Sequence, residues 1–113
     1  MDDTVELSER LGRAIAGSPQ AARLHAARDA LKAQKEVEQT LKDYQVQADK
    51  INALQQENKP VEVEDKHKLQ ELEDKLFGSE VFKEFTAAQV EYVDMMRKIN
   101  QAIQKHLGET EDL

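Results

Sequence analysis

The sequence predicts an all-α protein, a helical bundle of two long antiparallel helices (helix 2 and helix 4) with two shorter helices. Three observations carry this. Residues 19 to 57 contain no internal Gly or Pro and are rich in Ala, Leu, Gln, Lys and Glu, the residues that hold helix best. Apolar residues recur along the chain at steps of three and four. Gly17, Pro19, Pro60, Gly78 and Gly108 fall between the periodic segments, where they stop or start helices.

The first helix starts near Asp3 or Thr4, with Asp3 and Glu6 at capping-box spacing. Val5, Leu7, Leu11, Ala14 and Ile15 form its apolar stripe. Gly17 is placed to take the left-handed conformation that ends a helix, Ser18 to cap the next one, and Pro19 to occupy its first position. The second helix, at about 1.5 Å per residue, is a rod of roughly 55 Å. It carries two apolar registers, Leu24, Ala27 and Leu31, then Val37, Leu41, Tyr44, Ala48 and Ile51. Between them the step shortens through polar Gln34, which turns the buried face round the rod and implies a change of neighbour. Ala21, Ala22, Ala26, Ala30 and Ala33 suit either close approach of another backbone or a solvated face of high helix propensity.

A polar loop ending at Pro60 breaks the rod. A third helix over residues 63 to 77 turns Leu69, Leu72 and Leu76 inward, and Gly78 and Ser79 stop it and cap the fourth. That helix, over residues 80 to 107, carries Phe82, Phe85, Tyr92, Met96, Ile99 and Ile103 at heptad steps, with polar Gln89 among them. Ala88, Met95 and Ala102 widen the stripe on one side, Val90 and Val93 on the other. The apolar arc is wider than a helix buried on one side needs, so a second neighbour is expected. Residues 1 to 108 read as a single helical domain, and 109 to 113 as an acidic disordered tail.

Composition narrows the function classes. With 113 residues the chain makes one domain, and with three Phe, two Tyr and no Trp its core is thin, a situation often completed by self-association. A net charge of −7 argues against a nucleic-acid partner. The absence of cysteine removes disulfides, thiolate metal sites and cysteine nucleophiles. Neither a signal peptide nor a membrane span is readable, which makes the cytoplasm the expected compartment and leaves no membrane partner.

Little in the sequence points to catalysis. Glu64 and His67 have the Glu-x-x-His spacing of half a di-iron site, but no second pair accompanies them. His67 also lies in a charged segment with Glu62, Glu64, Asp65, Lys66 and Lys68 that reads as solvated. His106 falls in the last turn of its helix, where a histidine meets free carbonyls, and His25 has no evident partner. No glycine-rich phosphate loop is present, and Ser18 and Ser79 are explained as caps. No catalytic, cofactor or metal residue is therefore assigned.

Several stretches together resemble the YlbF/YmcA/YheA (Com_YlbF) family of small helical bacterial proteins. They are LSERLGRAIAGS (7–18), the Ala/Leu stretch from 22 to 31, LKDYQ (41–45), HKLQELEDKL (67–76) and the segment 83–103, which includes KEFTAAQVEY. The resemblance implies an all-helical protein that associates with itself or with relatives. It also implies a regulatory role, since the better-studied branches act in competence, sporulation and biofilm control through a complex that influences ribonuclease Y and a phosphorelay. The iron–sulfur cluster linked to that complex through cysteines does not carry over to a chain without cysteine. The chain looks closer to the YheA-like branch, and the family supplies no catalytic residues.

The expectation is a non-enzymatic regulatory protein acting through protein–protein contacts as a homo-oligomer, a dimer in the first instance, with another protein as a further partner. Phe82, Phe85, Tyr92, Met96 and Ile99 are its core or interface residues, and Val90 and Val93 its candidate subunit contact. Two other classes compete with it. An adaptor in RNA processing would show salt-dependent RNA retention, and a metal-dependent enzyme using Glu64 and His67 would hold metal that His67→Ala releases.

Overall fold

The computed structural model describes residues 3–108. Among them are five helices and no strand: α1 (Asp3–Ala16), α2 (Pro19–Ala33), α3 (Lys35–Gln56), α4 (Val63–Phe77) and α5 (Glu80–His106). The acidic tail expected at 109–113 lies outside the described residues.

The expected stops and starts hold, by a different local chemistry at the stops. Ser18 accepts a hydrogen bond at Oγ from the Ala21 N–H at 3.1 Å and donates to the Ile15 carbonyl at 2.6 Å, so one hydroxyl serves the end of α1 and the start of α2. Ser79 accepts from the Phe82 N–H at 3.2 Å and caps α5 likewise. The glycines do not take the left-handed conformation expected of them, since no described glycine has a positive φ. At Gly78, with φ −80° and ψ −9°, the chain closes with the Gly78 N–H on the Asp74 carbonyl and the Ser79 N–H on that of Leu76. A new helix begins immediately, and tightened bonds satisfy the last carbonyls instead.

The left-handed residue is Asn58, at φ 57°. The Lys59 N–H reaches the Leu54 carbonyl at 2.9 Å and the Asn58 N–H that of Gln55 at 3.1 Å. This is the Schellman pattern, which stops α3 before Pro60 is reached; Asn is among the few residues other than Gly that adopt its conformation readily.

The long second helix of the sequence reading is in fact two helices. Gln34 leaves the helical region at φ −98°, ψ 88°, and no side chain caps α3 there. Neither Pro nor Gly causes the break. It falls where the apolar register shortens: before it Ala21, Leu24, Ala27 and Leu31 are buried, and after it Val37, Leu41, Tyr44, Ala48 and Ile51 are half-buried. A bend lets each segment turn its own stripe inward, and packing overrides the good helix propensity of Ala33, Gln34 and Lys35.

Two compact units share the chain. One comprises Arg28–Phe85, and in it α3 and α4 pack closely as an antiparallel pair. Leu31, Leu72 and Leu76 are buried there, and Phe77 meets Phe82 edge to face at 6.1 Å. Residues Met1–Ala27 and Thr86–Leu113 make up the other. Among its described residues the buried ones are Ala21, Leu24, Ala27 and Ala88, small side chains apart from one leucine. Since fully burying a Leu-sized side chain is worth about 1.5–3 kcal/mol and an Ala much less, this unit has little core of its own.

Candidate interaction surface

The candidate surface lies on α5, whose first turn Ser79 fixes. Within the Arg28–Phe85 unit, Phe82 and Phe85 are half-buried. Beyond it, Tyr92, Met96 and Ile99 are half-buried too, so none of these five is fully enclosed by its own chain. The face turned inward is rotated from the heptad reading toward Ala88, which has no exposed surface, while Gln89 points outward. The sequence placed Ala88 at the edge of the stripe because alanine contributes little to an apolar pattern. Its smallness is what lets a neighbouring helix come close.

Val90 and Val93 are 64% and 57% exposed. With Gln89, Asp94 and Arg97 they line a shallow groove that is mostly apolar. Charge borders it on one side. Asp94 accepts from Arg97 at 2.5 Å and pairs with Lys98 at 3.1 Å, and these two partners, Arg97 first, hold its carboxyl below the usual carboxylate range. Next along the helix Glu91 pairs with Arg23 of α2. An apolar strip edged by fixed charges is the layout of a protein contact, a greasy centre with a polar rim.

Other chemistry does not assemble. Glu64 and His67 share an exposed face of α4 with Val63, Lys68 and Glu71. Among the described residues no three His, Cys, Asp or Glu side chains are grouped to hold a metal ion. His25 and His106 are exposed and lie on different helices. Asp65, expected in solvent with its charged neighbours, is instead half-buried and accepts bonds from two residues of α3. Gln47 Nε2 donates to its backbone carbonyl at 2.9 Å and to Oδ1 at 3.3 Å, and Lys50 Nζ to Oδ1 at 2.9 Å. A polar residue three positions after Tyr44 on an apolar stripe was the one available hint. No helix among the described residues is long and apolar enough to cross a membrane.

These features define a small all-α protein that carries an exposed apolar flank on α5. Its sequence matches, over residues 5–108, the family described as control of competence regulator ComK, YlbF/YmcA, and the chain belongs to that Com_YlbF family. The resemblance read from the sequence is thereby established. A solved structure, a protein of unknown function (DUF964) from Bacillus stearothermophilus, superposes with a TM-score of 0.76 over 97% of this chain and 96% of that one. At 14% identity the likeness speaks to the fold. No curated protein matches the sequence.

Proposed function

We propose that this chain is a cytoplasmic, non-enzymatic regulatory protein that acts through protein–protein contacts as a homo-oligomer, most simply a dimer. The carrying observation is the exposed Val90–Val93 flank of α5, on a unit whose own core is mostly alanine. Burying apolar area on a partner yields roughly 25 cal/mol per Å², and a thin core gains most from it. The antiparallel pairing of α2 with α5, supported by the Arg23–Glu91 ion pair, would frame the contact. The family's description, control of a competence regulator, supports a regulatory rather than a catalytic role.

Sedimentation velocity on the wild type and on the Val90→Glu/Val93→Glu variant tests this. The wild type is expected to sediment above the monomer mass and the variant near it. A wild type that stays monomeric at high micromolar concentration overturns the reading.

A further inference from the structure

Among the described residues, α1 is the helix that buries none of its side chains. Val5, Leu7 and Leu11 are 53%, 59% and 38% exposed, and of its apolar stripe only Ile15, in the last turn, is half-buried. Tertiary packing supplies most of a helix's stability in a folded protein, and without it a helix of 14 residues is marginal in water.

Local chemistry pulls both ways here. Asp3 and Glu6 in the first turn and Arg13 in the last complement the helix dipole and keep the helical form accessible. Against them stands Gly12, which costs a helix interior more than any residue but proline. Thr4 and Val5 are β-branched, and the Ser8 hydroxyl bonds back to the Thr4 carbonyl at 2.9 Å, an arrangement that slightly weakens a helix. Nothing in the chain lies within 4 Å of where a side chain at Gly12 would begin, so no close packing offsets its cost.

The junction with α2 lets α1 unwind by itself. The Ala21 N–H reaches Ser18 Oγ at 3.1 Å and the Ala22 N–H the Ser18 carbonyl at 3.1 Å, and neither bond involves α1. Ser18 in turn holds the Ile15 carbonyl through its hydroxyl at 2.6 Å. Turns before Ile15 can therefore open while the start of α2 keeps its cap.

We propose that α1, up to about Ala14, opens and closes as a unit of its own while α2 to α5 stay folded. Segments at the low end of the local stabilities within a protein are the ones that order and disorder, and the helical fraction of α1 depends on how far Leu7 and Leu11 are shielded from water. This opening needs no second copy, and a monomeric wild type leaves it standing.

Hydrogen exchange followed by mass spectrometry, on the full chain at low micromolar concentration, tests this. Amides of residues 7–14, which a closed helix would bond, are expected to exchange within about tenfold of the unstructured rate. Those around Ala88 in α5 are expected to be slowed by about a thousandfold or more. Gly12→Ala is expected to slow exchange in α1 by up to about fivefold and to leave the rate around Ala88 unchanged. Trypsin is expected to cut after Arg10 and Arg13 ahead of Arg23 and Arg28 in α2. Protection of residues 7–14 beyond tenfold means that the rest of the fold holds α1, and overturns the proposal. A Gly12→Ala variant that slows both regions alike does so too, since α1 would then open only with the whole.

Discussion

Gln47 shows how a single residue can join two helices. It is the buried polar side chain among the described residues, 3% exposed, and its amide is held on Asp65 of α4. Truncation to Ala removes these bonds and opens a cavity, so Gln47→Ala is expected to cost about 1–3 kcal/mol, read from the urea midpoint. Asp65 adds a pH dependence. The hydrogen bond from Lys50 first, outweighing the opposing effect of burial, with Gln47 adding to it, holds its carboxyl below the ordinary value of 3.8. A carboxylate whose pKa is depressed on folding stabilises the protein above its unfolded pKa, and that contribution fades as pH falls through the folded value. Asp65→Asn is therefore expected to be less stable than wild type at pH 7, and the gap to shrink below pH 3.8. A gap constant from pH 7 to pH 3 would show that the carboxylate has no such role. Beyond the polar Gln47 on an apolar stripe, none of this was legible in the sequence, where Asp65 stood among Glu62, Glu64, Lys66 and Lys68 and looked solvated. Which of several adjacent charges turns inward depends on the helix lying opposite.

At the scale of elements, boundaries set by local chemistry were readable and the bend at Gln34 only half so. Ser18, Pro19 and Ser79 act through bonds to residues three apart, and such spacing is visible in a string of letters. The register change at Gln34 was visible too, but a turned face on one rod and a broken rod produce the same pattern. A proline at the next position separates them. In a continuous helix Lys35→Pro costs about 3 kcal/mol, by removing a hydrogen bond and clashing with the carbonyl four residues back. As the first residue of α3 it suits proline, and Gln34 before it already lies outside the helical region. Lys35→Pro is expected to change unfolding free energy by less than about 1 kcal/mol in denaturant titration. A loss near the full helix-interior penalty would mean that α2 and α3 run on as one.

For the molecule as a whole the controlling quantity is how much apolar surface one copy can enclose. Four buried side chains among the described residues, three of them alanine, are little for a unit that includes α1 and most of α5. If association supplies the remainder, stability depends on concentration, because mass action adds about 2.7 kcal/mol to a dimer for each hundredfold increase. For a chain of this length that corresponds to a rise in Tm of about 5 °C per hundredfold, measurable by calorimetry. The Val90→Glu/Val93→Glu variant is expected to lose the dependence. By itself the sequence determined that the chain is helical, where most helices begin and end, and which family it belongs to, since periodicity, caps and breakers act over a few residues. Tertiary structure alone decided that α2 and α3 are separate, that Ala88 rather than Gln89 faces inward, that Asp65 is held by α3, and that α1 buries nothing. Each of these depends on which distant surface lies opposite, and spacing along one chain does not encode that.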